Sequence, residues 1–172
     1  MILSRRSDTQ FEFEMDVAEA EALRWIFSQY PVDDAHTFAV SKTGEGEDIE
    51  GAAEALMMSM DDLKRQLKRR VVSFLEQTDR IREVGDEGAT QLTIQIDEVD
   101  WMLQVLNETR VGAWRLLGCP EDIDEANRDE GASYGFLMEA AAFFQSALIY
   151  ACSPDSVDLE DGEEPGSEEP IV

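Results

Sequence analysis

The chain is 172 residues long and carries 39 acidic and 14 basic residues, which gives a net charge of -25. This length supports one domain whose core needs neither a disulfide nor a structural metal, and we expect a single helical domain over residues 1–152. The negative charge repels phosphate backbones and anionic lipid headgroups. It therefore argues against binding to nucleic acid or a membrane and favours a basic protein partner.

The two cysteines, Cys119 and Cys152, are too few and too far apart for a disulfide framework or a Cys-x-x-Cys metal site. We therefore expect free thiols and a reducing, cytoplasmic location. The first six residues lack the apolar run of a secretory signal. The longest apolar stretch, Phe136 to Cys152, contains polar residues and is about one helical turn too short to cross a bilayer, which places it inside a protein.

A strand and a capped helix open the chain. Phe11 to Met15 alternates apolar and charged residues, which predicts a half-buried strand. Asp16 and Glu19 follow at the spacing of a capping box and predict the start of a helix, which Pro31 ends. The apolar stripe of this helix consists of Ala22, Leu23, Ile26, Phe27 and Tyr30.

The same pattern returns 81 residues later. Leu92 to Ile96 alternates, Asp97 and Asp100 repeat the capping pair, and the following helix ends at Gly118 in the manner of a left-handed C-cap. We interpret this as an internal repeat and predict that the two strands pair into a small sheet; chance recurrence of a common pattern is the alternative. The apolar line of the second helix is Val99, Leu103, Leu106, Arg110, Ala113 and Leu117.

The region between the repeats predicts a loop and two helices. Val32 to Asp48 is polar and predicts a loop. Ser59 and Asp62 resemble a capping box, so we expect a short helix from about Asp48 to Met58 and a long one from about Met60 to Val84. The apolar line of this segment is Leu56, Met60, Leu63, Leu67, Val71, Phe74 and Ile81.

The segment Ala132 to Cys152 predicts a last helix that is apolar on most sides, because Phe136, Phe143 and Tyr150 lie on a different face from its main stripe. Such a helix is either the centre of a bundle or a surface shared with another subunit, and we expect the centre. A homodimer that buries the three rings is the alternative. The predicted fold is mainly α (α+β), a bundle of about five helices with a small two-stranded sheet.

Two charged segments stand out. Eight of the last twenty residues are acidic and none is basic, so we expect residues 153–172 to form a disordered tail. A basic strip on the predicted long helix is either a solvated face, a phosphate-binding element or a docking strip for an acidic segment such as the tail. The absence of interleaved aromatic residues disfavours nucleic acid. This basic strip consists of Lys64, Arg65, Lys68, Arg69 and Arg70.

No catalytic apparatus is recognisable in the sequence. His36, the single histidine, has no neighbouring cysteine or histidine with which to share a metal, and phosphate-binding glycine motifs do not occur. We expect no cofactor and no enzyme activity.

Arg110 falls on the apolar line of its helix, where a charge needs a carboxylate or a route to solvent. It either ties the helices together or forms, with Asn107, a site for a small anionic ligand that Tyr134 and Gln145 also contact.

Three short stretches carry a family resemblance: Leu106-Asn107-Glu108-Thr109-Arg110, Leu116-Leu117-Gly118 and Phe144-Gln145-Ser146-Ala147-Leu148. They resemble a bacterial domain-of-unknown-function family that is best populated in actinobacteria, over about residues 90–150. Trp114 and Arg115 depart from the smaller or apolar residues of the family pattern. Genes of this family often lie beside that of the Clp protease adaptor, so the resemblance implies a role near regulated proteolysis. We expect a non-enzymatic interaction or regulatory protein.

Overall fold

A computed structural model describes residues 1–32, 47–84, 88–121 and 132–154. The elements in this part of the chain are, in order, β1 (Ile2–Arg6), β2 (Gln10–Met15), α1 (Val17–Gln29), α2 (Glu47–Glu76), β3 (Ile81–Val84), β4 (Ala89–Gln95), a 3-10 turn (Ile96–Glu98), α3 (Val99–Leu116) and α4 (Ala132–Cys152). A unit of two strands followed by two helices therefore occurs twice. His36, most of the predicted loop after Val32, and the predicted tail from Asp155 onward lie outside the described residues.

The four strands form one antiparallel sheet in the order β1-β2-β4-β3. The predicted bundle of five helices with a two-stranded sheet is therefore wrong, whereas the predicted pairing of the two alternating strands is confirmed, because β2 pairs with β4. β1 shows no alternation because it is an edge strand with mostly exposed side chains. β3 was not predicted because Ile81 continues the helical spacing of Phe74.

The pairing of β2 with β4 has two-fold symmetry. Phe11 lies opposite Ile94 and Phe13 lies opposite Leu92. With a repeat length of 81 residues, Phe11 corresponds to Leu92 and Phe13 corresponds to Ile94. A two-fold rotation therefore exchanges the pair Phe11–Ile94 with the pair Phe13–Leu92. The pair that contains Glu12 lies on the rotation axis. The internal repeat is thus a pseudo-two-fold arrangement of two halves about the centre of the sheet.

One face of the sheet and the helices share a hydrophobic core. On the helix side, the rings of Phe27, Phe74 and Trp101 contact one another at centroid distances of 5.6, 6.2 and 6.0 Å and join α1, α2 and α3. The other sheet face is polar, where Gln91 donates a hydrogen bond of 3.0 Å to Glu12. The inward side chains of β2 and β4 are at most 4% exposed, and they are Phe11, Phe13, Met15, Thr90, Leu92 and Ile94.

The two halves differ at the starts of their helices. α1 begins with the predicted capping box, in which the Glu19 amide donates to Asp16 at 2.7 Å and the Asp16 amide donates to Glu19 at 3.1 Å. In the second half the Gln95 amide donates to the Glu98 carboxylate at 2.8 Å, and Glu98 rather than Asp97 occupies the N-cap of α3. The predicted cap at Asp97 is therefore wrong, because a 3-10 turn precedes the helix.

α2 is one uninterrupted helix of 30 residues. The predicted break at Ser59 and the predicted helix end at Val84 are therefore wrong. The C-terminal half of α2 buries Leu67, Val71 and Phe74 in the core. By contrast, the side chains described from residue 51 to residue 59 are all exposed. This stretch, which we call the α2 overhang, extends about 14 Å at the ordinary helical rise beyond the part that packs.

α4 has the predicted bounds but not the predicted position. It packs on α3 through side chains that include the buried Phe144 and Leu148, as the predicted stripe requires. Phe136, Phe143 and Tyr150, however, are 50%, 46% and 49% exposed. α4 therefore lies at the edge of the helix layer and not at its centre.

The length and hydropathy of α4 also bear on the membrane question. The stretch Ser133–Cys152 is long and apolar enough to cross a membrane, which corrects the sequence-based estimate that it is too short, and 39% of its most apolar window is buried. Core helices of soluble proteins meet the same two criteria.

The buried face of α3 differs from the predicted apolar line at two positions, where the preceding residue is buried instead. Arg110 and Leu103 are half-buried, whereas Met102, Leu106 and Thr109 are at most 1% exposed. The Thr109 hydroxyl has no hydrogen-bond partner within the described part of the chain. A buried hydroxyl without a partner costs stability.

We predict that Thr109→Val raises the free energy of unfolding by up to about 1 kcal/mol, because valine keeps the shape and removes the unpaired hydroxyl. Thr109→Ala removes a methyl group as well and should lower the free energy of unfolding. Urea unfolding followed by circular dichroism measures both. A loss of stability in the valine variant as large as in the alanine variant would show that the hydroxyl is bonded in solution.

Candidate functional site

A groove opens where the end of α1 meets the middle of α2 and the second half of α3. Its volume is about 170 Å³, enough for one side chain of a ligand. Buried Gly112 contributes no side chain to the groove, although glycine inside a helix costs about 1 kcal/mol relative to alanine. The lining residues are Tyr30, Pro31, Val32, Met60, Leu63, Lys64, Asn107, Glu108, Val111, Gly112 and Arg115.

Tyr30 joins the three helices that form the groove. It is 1% exposed, and its hydroxyl donates a hydrogen bond of 2.7 Å to the Glu108 carboxylate on α3. The other Glu108 oxygen accepts a hydrogen bond of 3.2 Å from Gln104. The Lys68 ammonium on α2 donates to the Tyr30 carbonyl oxygen. The base of the groove is therefore fixed by polar contacts among α1, α2 and α3.

The lining divides into an apolar part and a charged part. Met60, Leu63 and Val111 supply apolar surface, and Leu63 and Val111 are still 40% and 43% exposed. Lys64 and Arg115 bring two positive charges to the same groove. No group of three or more potential metal ligands occurs among the residues that the structure describes. The arrangement suits an apolar side chain whose polar or charged neighbours contact the rim.

Of the four residues predicted to contact an anionic ligand, one lines the groove. Asn107 lines the groove. Arg110 is half-buried and donates to the Asn107 side chain at 3.4 Å, but it is not part of the lining. Tyr134 and Gln145 lie on α4 and do not line the groove either. Arg110 was singled out because the predicted apolar line of α3 passes through it, whereas the buried line passes through Thr109.

The basic strip is likewise divided. Lys64 and Lys68 are half-buried and lie toward the groove, whereas Arg65, Arg69 and Arg70 are exposed. One of the exposed arginines, Arg65, already lies 2.7 Å from an aspartate carboxylate on the same helix. The five residues therefore differ in exposure, and the acidic tail that they were predicted to bind lies outside the described residues.

Sequence reasoning missed most of the groove. Tyr30 and Met60 were assigned to packing alone, and Glu108 and Arg115 were assigned no role in a site. One signal was present, since three of the seven methionines fall between residues 57 and 60. Methionine is flexible and polarisable, and clusters of exposed methionine are typical of surfaces that adapt to a partner.

Comparison with protein-family models, with curated proteins and with solved structures found no match. The resemblance to an actinobacterial family therefore stays a prediction, as does the role near Clp-type proteolysis that it implies. What the groove binds has to be inferred from its own residues.

We predict that Tyr30→Phe lowers the free energy of unfolding by about 1–2 kcal/mol, because it removes a hydrogen bond to a charged carboxylate. Tyr134→Phe is the matched control, since Tyr134 is 37% exposed and its hydroxyl should contribute little. Thermal and urea unfolding measure both variants. Equal stability of the two variants would show that the contact between Tyr30 and Glu108 does not hold the groove together.

Both cysteines are free thiols, as predicted. Burial raises the pKa of the Cys152 thiol above its ordinary value of 9.0; nearby Arg6 lowers this pKa and Asp100 raises it, both to a smaller extent. The thiol therefore keeps its proton at neutral pH. Because the thiolate is the reactive form, we expect the exposed Cys152 to be alkylated more slowly than an unfolded thiol at the same pH.

In a Cys119→Ser variant, we expect alkylation of Cys152 by iodoacetamide to reach its half-maximal rate at a higher pH in the folded than in the unfolded protein. Urea-unfolded protein is the control, since an unfolded thiol titrates at its ordinary pKa. Mass spectrometry across a pH series measures both rates. A half-maximal rate at the same pH in the folded and unfolded protein would contradict the raised pKa.

Proposed function

We propose that this protein is a non-enzymatic interaction protein that binds a basic, amphipathic segment of a partner protein along the α2 overhang and in the adjoining groove. The observation that carries the proposal is the exposure of apolar side chains on α2 where the helix leaves the core. Leu56, Met57 and Met58 are 53%, 37% and 61% exposed. Contiguous exposed apolar surface of this kind is typical of a protein-binding site.

The overhang and the groove form one apolar line. Leu56, Met60 and Leu63 follow one another at intervals of four and three residues, so they lie on one face of α2. Met60 and Leu63 also line the groove. An apolar helix face laid against this line can place one side chain in the groove and others along the overhang, which is the usual way in which a groove binds an amphipathic helix.

The charge of the overhang favours a basic segment. Between Glu47 and Asp62 six residues are acidic and none is basic, and the chain as a whole has a net charge of -25. Lysine or arginine side chains that flank the apolar face of a partner would lie near the exposed carboxylates of Glu54 in the overhang and Asp62 just beyond it. At the overhang this field increases the association rate of a basic segment. The side chain that enters the groove must be uncharged, because Lys64 and Arg115 lie there.

A small anionic ligand is the second candidate function. It is favoured by Lys64, Arg115 and Asn107, which bring two cations and an amide to one groove. In this alternative the groove alone is the site and the overhang contributes nothing. A ligand of the folded state raises the melting temperature, so citrate and inorganic phosphate are suitable probes.

The test is binding of a fluorescent synthetic helix made of leucine and lysine, measured by anisotropy. Full burial of one leucine contributes about 1.5–3 kcal/mol, and Leu56 and Leu63 are each about half exposed. The double variant Leu56→Gln, Leu63→Gln should therefore bind about tenfold more weakly or worse. Binding should also weaken as salt is added, because salt screens exposed charges.

Val72→Gln is the matched control, because Val72 is 42% exposed on the same helix but off the apolar line, and it should bind as the unmodified protein does. Equal binding by the double variant would rule out the overhang as the site. A melting temperature that citrate raises in the unmodified protein but not in Lys64→Gln, Arg115→Gln would favour the anionic ligand instead.

A further inference from the structure

We propose that α4 is the contact surface for a second copy of this chain, in an antiparallel dimer centred on Phe143. Five residues with intervals of four, three, four and three place an apolar stripe along one flank of α4: Phe136, Ala140, Phe143, Ala147 and Tyr150. This is the spacing of the a and d positions of a coiled coil. Two alanines between three rings leave gaps into which the rings of a facing helix fit.

The exposure of the stripe shows that the fold leaves it without a complete partner. The three rings remain 46–50% exposed, although the neighbouring face of α4 is buried against α3. At its first ring the stripe continues onto α1, where Trp25 lies 5.5 Å from Phe136 between ring centroids. The apolar surface is therefore continuous between two elements.

The distribution of charge favours a second copy over a basic protein. α4 contains one charged residue, Glu139, whereas the chain has a net charge of -25. A basic partner would find few carboxylates on this helix. Two strongly acidic copies, however, repel each other least where they carry no charge, and the stripe itself carries none.

The geometry selects the antiparallel orientation. Phe143 lies midway between Phe136 and Tyr150, so a two-fold axis at Phe143 places each outer ring against the other outer ring of the second copy. The same axis places Glu139 opposite Ala147 and separates the two glutamates by eight residues, about 12 Å along the helix. In a parallel pair the two glutamates would lie side by side, and the helix dipoles would repel each other.

The available area predicts a weak dimer. An aromatic side chain covers about 150–250 Å², so three half-exposed rings offer roughly 300 Å² on each copy. The total of roughly 600 Å² lies below the 1,200 Å² or more of stable interfaces. We therefore expect a reversible equilibrium between monomer and dimer, with a dissociation constant in the micromolar range or above.

The first test is sedimentation equilibrium of the full chain at low and at high salt. Salt screens the repulsion between the two acidic copies, so the dimer should become stronger as salt is added, in contrast to binding of a basic segment at the α2 overhang. Phe143→Glu should weaken the dimer at least tenfold. Ile149→Glu, on the other flank of α4 and 56% exposed, should leave it unchanged. A monomer at all concentrations and salt levels would overturn the proposal.

The second test is disulfide cross-linking in a variant that lacks Cys119 and Cys152. Phe143→Cys should cross-link with itself under mild oxidation, because the axis brings the two positions together. Phe136→Cys should not cross-link with itself but should cross-link when mixed with Tyr150→Cys. Ile149→Cys is the control, and it measures the rate of cross-linking by random collision. Cross-linking of Phe143→Cys that is no faster than this control would overturn the dimer, and self-linking of Phe136→Cys would overturn its orientation.

The membrane is the competing occupant of the stripe. Vesicles of phosphatidylcholine, with and without phosphatidylglycerol, should not sediment the unmodified protein. If they do, and Phe143→Glu abolishes the effect, then lipid covers this flank of α4 and the dimer proposal is overturned. Because Phe143 lies on α4 and the peptide test varies α2, either proposal can fail without the other.

Discussion

The pairing of β2 with β4 is the contact on which the rest of the structure depends. It joins two halves that are 81 residues apart in sequence, and its register aligns Phe13 with Leu92, both of which are at most 1% exposed. A shift of one residue would turn each buried side chain of the strand to the polar face of the sheet. The register therefore also decides on which side of the sheet the helices pack.

Once the central pair is set, the two halves use their helices differently. The first helix of each half, α1 or α3, packs on the apolar face of the sheet and contributes to the core. The second helix has more freedom, since α2 leaves the core after Leu67 toward its N-terminus, while α4 stays on α3 but keeps one flank exposed. Pseudo-symmetry thus holds for the central strand pair and the first helices, and the two candidate binding surfaces arise where it no longer holds.

Local patterns in the sequence predicted two kinds of element. One kind has a regular alternation or helical stripe of apolar residues along its whole length, and the other has a capping partner within a few residues. The alternation in β2 and β4, the Asp16 capping box and the bounds of α4 are examples. β1 and β3 were missed because an edge strand needs no alternation, and Ile81 fits a helical spacing equally well. The groove could not be predicted, because Tyr30 and Glu108 are 78 residues apart and only the packing of α1 against α3 brings them together.

Charge distinguishes the two candidate binding surfaces, the α2 overhang and the exposed flank of α4. The α2 overhang carries the exposed Met57 and Met58 beside the carboxylate of Glu54, so an apolar contact there is accompanied by attraction for cations. The α4 flank has a comparable apolar surface but almost no charge, so that contact is apolar alone and the net charge of -25 acts against it at long range. Coulomb forces between exposed groups are screened by salt and apolar contacts are not. Salt should therefore weaken the proposed binding of a basic protein and strengthen the proposed dimer.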